Sequence, residues 1–181
     1  MTEDSSRRVP DPVTFRRVLG HHPTGASVVT AMGLDGRPTG MVVGTFTSVS
    51  LDPPLVAFLP DKASTSWPRI REAGSFCANV LSAGQQAVSR QFARSGGNKF
   101  RGITWTPAPS GSPILRGAVA WVDCDIEQVF ESGDHYIVIG RVRDLAAVSA
   151  EEPLTFWQGR YGRVHVEPGD AVHVPALAAC E

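Results

Sequence analysis

Residues 40–54 have the sequence Gly-Met-Val-Val-Gly-Thr-Phe-Thr-Ser-Val-Ser-Leu-Asp-Pro-Pro, in which an apolar strand pattern runs into a cluster of hydroxyls. Met41, Val42 and Val43 suit a pleated, half-buried surface. Gly40 and Gly44 interrupt the pattern, and a glycine in a strand marks a bulge or a close approach of another group to the backbone. The polar half predicts a surface for a flat heteroaromatic ligand, because it offers backbone N–H groups and the hydroxyls of Thr45, Thr47, Ser48 and Ser50. An edge strand with its hydroxyls facing water explains the same residues.

The composition predicts one domain that does not bind nucleic acid. At 181 residues with 42% hydrophobic content, the chain can build one sizeable core. Its 17 basic and 18 acidic residues leave a net charge of -1, and no apolar run approaches the length of a membrane span. The polar N-terminus lacks the apolar core of a signal peptide, and Cys77, Cys124 and Cys180 show no metal-ligand spacing. We therefore expect a reduced, cytoplasmic protein without a metal site, in which Cys77 and Cys124 are small buried hydrophobic residues.

The order of short segments predicts a mainly β fold with short helices. Helices are expected from Asp11 to Gly20, around Trp67 and Pro68 with Trp67 and Ile70 as its apolar anchors, and from a Ser82–Gln85 capping box to Ala93. A hairpin is expected between residues 26–32 and the Gly40 strand, with further strands at residues 55–58, 75–81, 120–127, 135–142 and 153–157. A tight turn at Gly159–Gly162 is expected to follow the last of these strands. Six or seven strands with three helices between them favour a barrel, and no Gly-x-Gly-x-x-Gly motif supports a Rossmann-type site. The single domain is expected to span residues 13–165, between a disordered arm at residues 1–12 and a flexible tail at residues 166–181.

The segment that follows residues 55–58 combines a cation with hydroxyls. It reads Pro60-Asp61-Lys62-Ala63-Ser64-Thr65-Ser66-Trp67-Pro68, and Pro68 suits the first turn of a helix. Backbone N–H groups, the helix dipole and the charge of Lys62 would together hold a phosphate. A capped helix beside a solvated lysine is the alternative. Farther along, Lys99 and Phe100 lie in a loop rich in Gly, Pro and Ser that would cover a ligand as a lid.

Two single residues are further candidates. Asn79 is the one polar side chain within the apolar part of the strand at residues 75–81, where its amide would either contact a ligand or satisfy neighbouring backbone groups. His135 stands where a loop meets the start of a buried strand, a position that often carries function. A histidine at a strand end also commonly does no more than bond a carbonyl group.

Five blocks of the sequence carry a family resemblance. They are residues 15–30, 45–54 and 76–81, Gly133-Asp134-His135, and Gly159-Arg160-Tyr161-Gly162. Their order and approximate spacing resemble the small flavin reductases that serve two-component flavin-dependent monooxygenases. The resemblance covers roughly residues 13 to 164 and rests on several ordered blocks rather than on one hydroxyl-rich strand.

The resemblance implies an FMN-binding split β-barrel, usually a homodimer with the flavin near the subunit interface, that passes reduced FMN or FAD to a separate monooxygenase. It implies no catalytic acid or base, because hydride passes directly from the nicotinamide to the flavin. The implied flavin contacts are Gly44, Thr45, Phe46, Thr47, Pro60, Asp61, Lys62, Ser64, Thr65, Ser66 and Asn79. The implied nicotinamide contacts are His135, Arg160 and Tyr161. Gly44 stands where the family commonly has a larger polar residue, so only backbone contact is expected there.

The choice of electron donor and the reaction itself leave alternatives. NADH is favoured over NADPH because the sequence shows no arginine-rich cluster for a 2′-phosphate, although Arg160 and Arg163 weaken that inference. A non-enzymatic flavin carrier or sensor on the same barrel would use many of the same residues. A different oxidase acting on a small organic substrate is a third reading.

Overall fold

The computed structural model describes residues 9–165, and its regular elements are mostly strands. The helices are α1 at Pro12–Leu19, α2 at Trp67–Ala73 and α3 at Gln86–Ala93, the last preceded by a 3-10 turn at Ala83–Gln85. The strands are β1 Thr24–Gly25, β2 Ser27–Met32, β3 Pro38–Val43, β4 Thr47–Leu51, β5 Pro54–Phe58, β6 Ser75–Leu81, β7 Trp105–Pro107, β8 Pro113–Leu115, β9 Ala118–Ser132, β10 His135–Ala147, β11 Leu154–Trp157 and β12 Arg160–Arg163. The predicted tail and residues 1–8 of the predicted arm lie outside the described residues. No helix in residues 9–165 is long and apolar enough to cross a membrane.

The main sheet has seven antiparallel strands, and its two edge strands are consecutive in the chain. The order is β3-β2-β6-β9-β10-β5-β4. In a flat sheet β3 and β4 would lie about 29 Å apart, since neighbouring strands are about 4.8 Å apart. Only Gly44, Thr45 and Phe46 connect the two strands, and the chain from Val43 to Thr47 spans at most about 14 Å. The sheet must therefore curl until its edges nearly meet. This geometry confirms the predicted split barrel and places the split at residues 44–46.

The predicted hairpin and capping box are both present. Strands β2 and β3 pair with Ser27 opposite Val43 and Met32 opposite Pro38. Their turn contains Gly36 at a φ of 69°, in the left-handed region that glycine adopts without strain. The backbone N–H of Ser82 donates to Gln85 Oε1 at 3.0 Å, and the reciprocal bond completes the box before α3.

The bounds of three predicted elements are wrong. Strands β9 and β10 extend beyond residues 120–127 and 135–142, mainly at residues 128–132 and 143–147, which are mostly solvent-exposed and carry no apolar alternation that would reveal them. The tight turn predicted at Gly159–Gly162 lies earlier in the chain. Gln158 and Gly159 have positive φ values of 49° and 76°, and Arg160–Arg163 already forms β12, paired with β11. The smaller sheet β1-β11-β12 therefore has an extra strand.

Aromatic side chains fill the inside of the barrel. Phe58 and Phe76 are fully buried, and their rings meet edge to face with centroids 5.0 Å apart. Trp67 of α2 packs on Phe58 at 5.8 Å, and Ile70 of the same helix is fully buried. Helix α2 is thus anchored on the barrel wall by Trp67 and Ile70, as the sequence predicts.

The close approach expected at Gly40 is made by the core rather than by a ligand. A Cβ atom at Gly40 would lie 2.8 Å from Cε1 of Phe92, which is nearly fully buried on α3. Glycine at this position lets α3 lie directly against β3. Gly40 is therefore required by the packing of Phe92 against β3, and not by a ligand.

The cysteines of the described chain behave as hydrophobic residues. Cys77 and Cys124 are free, fully buried thiols on the adjacent strands β6 and β9. Burial raises the pKa of Cys124 to about 12 and raises the pKa of Cys77 as well, so both thiols are protonated at neutral pH. Among the residues described, no group of His, Cys, Asp and Glu is arranged to hold a metal ion.

Candidate functional site

The split between β3 and β4 exposes the backbone of three predicted flavin contacts. Gly44, Thr45 and Phe46 have no partner in any β-ladder of the described chain, so their backbone is not committed to the sheet. Thr45 Oγ1 accepts the N–H of Leu59 at 2.9 Å, which ties the split to the residue before Pro60. The ring of Phe46 packs against the core and holds the connection in place.

Thr47 completes this part of the site. It begins β4 opposite Ala57, is exposed, and its hydroxyl donates only a long bond of 3.3 Å to the carbonyl of Ser48. On the other side, Gly44 lies against β1, where an added Cβ would be 2.8 Å from Thr24 Oγ1. The split is thus bordered by hydroxyl groups on both sides.

The segment at residues 60–62 is fixed by the end of the β9–β10 hairpin. Tyr136 donates its N–H to the carbonyl of Pro60 at 2.9 Å, and Lys62 donates to the carbonyl of Asp134 at 2.9 Å. Asp61 and His135 form a β-bridge between these bonds. The structure therefore brings His135 next to the predicted phosphate-binding segment, although the two are more than 70 residues apart in the sequence.

Lys62 is committed to other partners. Its ammonium lies 2.9 Å from Glu131 Oε2 and 5.4 Å from the centre of the Tyr136 ring. The hydrogen bond to Glu131 raises the pKa of Lys62 and lowers the pKa of Glu131. Lys62 also faces a separate cavity of about 410 Å³ that it shares with Arg71. An ion pair this exposed is weak, so the pairing with Glu131 leaves the charge of Lys62 accessible to a ligand. Lys62 does not, however, line the larger cavity beside Thr65.

The three hydroxyls at the start of α2 have different roles. Ser64 Oγ accepts the N–H groups of Ser66, the N-cap residue of α2, and of Trp67, its first residue, at 3.3 Å each. Ser66 is buried and its hydroxyl accepts a bond from Lys99 Nζ at 3.0 Å. Thr65 is exposed, and its hydroxyl makes no hydrogen bond within the described residues. Of the three, Thr65 is the hydroxyl available to a ligand.

A basic cavity of about 670 Å³ begins at Thr65 and Ser66. Its wall contains two arginines that the sequence analysis did not select, Arg37 from the β2–β3 turn and Arg69 from α2. Arg69 pairs with Asp35 at 2.7 Å and donates to the carbonyl of Arg37. The remaining lining residues are Pro38, Thr39, Gly40, Gly96, Gly97, Asn98, Lys99 and Phe100. The two arginines are 32 positions apart in the chain, and no local sequence signal joins them.

Lys99 connects the predicted lid loop to the barrel through hydrogen bonds. Its ammonium donates to the carbonyls of Gly40 at 3.3 Å and Phe92 at 3.1 Å, and to Ser66 Oγ. These three bonds use all three ammonium protons. Desolvation lowers the pKa of Lys99, and no carboxylate among the described residues pairs with it. Lys99 therefore contributes positive charge to the cavity while its own donors hold the wall together.

Asn79 has a structural role in this protein. It is fully buried, and its Nδ2 lies 3.2 Å from the carbonyls of Val28 and Pro113. Its Oδ1 accepts the N–H of Leu115 at 2.7 Å. With both ends of the amide used inside the protein, Asn79 has no atom left to offer a flavin. The structure thus favours the backbone-satisfying alternative over the ligand contact.

The nicotinamide candidates lie in two places. His135 is partly exposed, and its Nδ1 lies 2.7 Å from Asp134 Oδ1, which lowers the pKa of Asp134. Tyr161 lies on β12, where its hydroxyl is 3.0 Å from Ser89 Oγ and its ring is covered by Arg90. Arg160 is exposed at the start of β12.

The described structure shows no direct contact between Tyr161 and His135. Tyr161 is instead linked to the split through the smaller sheet, where Tyr161, Phe156 and Thr24 are register partners across three strands. Thr24 is the neighbour of Gly44. Two strand spacings put Tyr161 roughly 10 Å from Thr24.

Comparison with known proteins agrees with this geometry. Residues 19–165 match the flavin reductase like domain. The chain is 57% identical over 152 residues to a flavin reductase from Pseudomonas putida, covering 84% of this chain and 89% of the relative. It is 44% identical to the reductase subunit HsaB of a flavin-dependent monooxygenase from Rhodococcus jostii, covering 91% of this chain and 83% of that one.

A solved structure shares the fold. The NADH:FAD oxidoreductase SgcE6 of Streptomyces globisporus, solved in complex with NAD and FAD fragments, superimposes with a TM-score of 0.81 at 38% identity. The match covers 92% of this chain and all of that one. A family model that matches most of the chain, together with relatives of this identity, establishes the family to which the chain belongs. This protein belongs to the flavin reductase like domain family.

Proposed function

We propose that this protein is an NADH-dependent flavin reductase that supplies reduced FMN or FAD to a separate flavin-dependent monooxygenase. The observation that carries the proposal is the split at residues 44–46, whose backbone is left out of the β-ladders of the described chain, which is bordered by hydroxyls, and which is tied through Leu59 to the Pro60–Ser66 segment. The relatives named above are flavin reductases or monooxygenase reductase subunits, which favours this reading over a carrier or sensor. NADH oxidation that depends on added FMN, FAD or riboflavin tests it.

The residues at the split fit a flavin ring. The ring edge carries carbonyls and ring nitrogens, and the uncommitted backbone of Gly44, Thr45 and Phe46 offers matching donors and acceptors. Thr47 adds an exposed hydroxyl, while Phe46 holds the backbone from the core side. The flavin phosphate would then lie at the Asp61–Ser66 segment, beside Thr65 and the charge of Lys99.

The protein's contribution to the reaction is positioning. A bound flavin supplies the chemistry by accepting hydride from a nicotinamide, so the chain needs no acid, base or nucleophile. The backbone at residues 44–46 fixes one reactant, and His135 orients the other from the bridge to Asp61. Arg160 and Tyr161 remain proposed donor contacts, with Tyr161 held by Ser89 and Arg90.

Replacing Thr65 with valine should weaken FMN binding by about tenfold while changing riboflavin binding little. The hydroxyl of Thr65 has no partner in the described chain, and a hydrogen bond to a charged phosphate is worth about 1.5 to 3 kcal/mol. Riboflavin lacks the phosphate and therefore serves as the matched ligand. Lys62→Gln is the comparison variant and should have a smaller effect, because Lys62 is paired with Glu131. Isothermal titration with both flavins measures the difference, and equal weakening of FMN and riboflavin would mean that Thr65 does not meet the phosphate.

Replacing His135 with alanine should raise the KM for NADH or lower kcat by about tenfold and leave flavin affinity nearly unchanged. The reason is that His135 is partly exposed at the start of β10, where its backbone bridges Asp61 and its imidazole pairs with the exposed Asp134. Steady-state kinetics and flavin titration of the same preparation separate the two effects. His22→Ala, an exposed histidine after α1, is the control. Loss of flavin and NADH affinity together would assign His135 to the flavin site instead.

We further propose that the protein is a cytoplasmic homodimer whose domain spans residues 13–165. Helix α1 has no buried residue, and its apolar side chains Phe15, Val18 and Leu19 are more than half exposed. Leu51 on edge strand β4 is 84% exposed and Phe130 on β9 is 51% exposed. A second copy of the chain would cover these apolar side chains. The buried free thiols Cys77 and Cys124 agree with a reducing compartment.

A further inference from the structure

The C-terminal end of helix α1 is bonded to the turn between β11 and β12. The carbonyl of Gly20 accepts the N–H of Gln158 at 3.0 Å, and the carbonyl of His21 accepts the indole N–H of Trp157 at 3.0 Å. The side-chain nitrogen of Gln158 lies 3.0 Å from Nδ1 of His21, whose ring meets the Trp157 ring edge to face. No residue of α1 is buried, so these contacts, rather than a packed apolar face, set where the helix lies.

The backbone of the β11–β12 turn is strained at Gln158. This residue has a φ of 49°, and within residues 9–165 it is the one residue other than glycine with a positive φ. A left-handed conformation is unfavourable for a residue with a Cβ atom and persists only where neighbouring contacts hold it. The backbone N–H and the side-chain amide of Gln158 both meet the end of α1. Glycine would adopt the same φ without strain, so what glutamine adds here is its side-chain contact with His21.

The same turn leads into two of the proposed nicotinamide contacts. Arg160 and Tyr161 begin β12 directly after Gln158 and Gly159. The hydroxyl of Tyr161 is 3.0 Å from Ser89 Oγ, which fixes this residue from the side of α3. The bonds to the end of α1 fix the turn from the other side. A change in how α1 is held would therefore shift the start of β12.

The last turn of α1 also lies near the turn between β9 and β10. The hydrogen bond with His135 holds the pKa of Asp134 below its ordinary value, and the charge of Arg16 lowers that pKa further. Arg16 is four residues before Gly20, which is a rise of about 6 Å along the helix axis. His135 and Tyr161 make no direct contact in the described chain. The last turn of α1 thus lies beside both parts of the proposed donor site.

We propose that the last turn of α1 forms part of the donor site and that Trp157 and Gln158 are positioning residues that hold it there. The inference rests on the proposed flavin reductase function and adds to it an element between His135 and Tyr161. Trp157 and Gln158 act through α1 and the β11–β12 turn, and they need not touch the nicotinamide. Loosening their contact with α1 should weaken the donor complex and leave flavin binding, which we place at the split, nearly unchanged.

The test compares Trp157→Phe, Gln158→Gly and the double variant in the full chain. Phenylalanine keeps an aromatic ring without the indole N–H, and glycine keeps the positive φ without the amide. Because a neutral hydrogen bond contributes modestly, we expect each single variant to raise the KM for NADH by about threefold and the double variant by about tenfold, with kcat and flavin affinity within about twofold. The control is Trp121→Phe, the same ring change at a tryptophan whose indole makes no hydrogen bond in the described chain.

Limited digestion with trypsin follows α1 without turnover. Cleavage after Arg17 releases a fragment that begins at Val18, and mass spectrometry identifies it. We expect NAD⁺ added together with FMN, a pair that does not react, to slow this cleavage in the unmodified protein. The double variant should be cleaved faster and should lose the protection.

Three results would overturn the inference. An unchanged KM for NADH in the double variant, with cleavage after Arg17 no faster, would remove α1 from the donor site. A lowered unfolding midpoint in urea with an unchanged KM would assign Trp157 and Gln158 to stability alone. A loss of flavin affinity as large as the rise in KM would show that their contact supports the whole site. The proposed function fails separately, if the unmodified protein oxidises no NADH with FMN, FAD or riboflavin.

Discussion

Replacing Asn79 with alanine is expected to lower the free energy of unfolding by about 2 to 4 kcal/mol. The amide is fully buried and bonds backbone groups of three strands: Val28 on β2, Cys77 on β6 and, on β8, the carbonyl of Pro113 and the N–H of Leu115. Alanine would leave the Leu115 N–H and at least one carbonyl without partners, and each buried unsatisfied group costs about 1 to 3 kcal/mol. Urea unfolding followed by tryptophan fluorescence measures the change.

The control for Asn79 is Gln128→Ala, on an exposed position of β9 with no side-chain hydrogen bond among the described residues. That variant should stay within about 0.5 kcal/mol of the unmodified protein. Flavin affinity of folded Asn79→Ala should be nearly unchanged, because the amide faces the protein interior. An unaltered unfolding midpoint with a large loss of flavin affinity would contradict the structural role and return Asn79 to the ligand site.

Replacing Gly140 with alanine is expected to destabilise the protein by about 2 kcal/mol or more. A Cβ atom there would lie 2.5 Å from Cζ and 2.7 Å from Cε1 of Phe76, and 3.1 Å from Cβ of Cys124. Phe76 cannot easily move, since it is fully buried and its ring meets Phe58 edge to face. The methyl group must therefore displace either an aromatic ring or the backbone of β10. Thermal and urea unfolding both report this loss.

Two further variants make the Gly140 experiment specific. Gly84→Ala adds the same methyl group in the turn before α3, where the nearest atom is Ser82 Oγ at 3.9 Å, and should be close to neutral. Phe76→Leu removes part of the ring that the new methyl group would strike, so the double variant Gly140→Ala/Phe76→Leu should lose less stability than the sum of the single variants. Strict additivity would mean that the clash with Phe76 is not the cause.

Much of the fold could be predicted because the local sequence patterns form, in the structure, the elements that they indicate. The β2–β3 hairpin, the Ser82–Gln85 capping box and the anchoring of α2 by Trp67 each depend on residues near one another in the chain. The ends of β9 and β10 escaped prediction because their outer halves are exposed and their residues do not alternate. The start of β12 was missed because Gln158, an unusual residue for a positive φ, takes part in the turn.

The site was less predictable because its side chains find partners across long sequence distances. Lys62 meets Glu131 only because the β9–β10 hairpin extends to the Pro60–Lys62 segment. Arg37 and Arg69 form one cavity although the sequence shows no arginine cluster. The polar character of Asn79 was visible in the sequence, but its partners depend on β8, a short strand that begins at the end of a segment that reads as a loop.

The most direct measurement is anaerobic mixing of the purified protein with NADH and one equivalent of FAD, FMN or riboflavin, following both chromophores. A flavin reductase should oxidise about one NADH for each flavin reduced, with both absorbance changes in step. His135→Ala should slow both changes equally. Tight flavin binding with NADH left unoxidised under every flavin would contradict the reductase function and identify a flavin carrier instead.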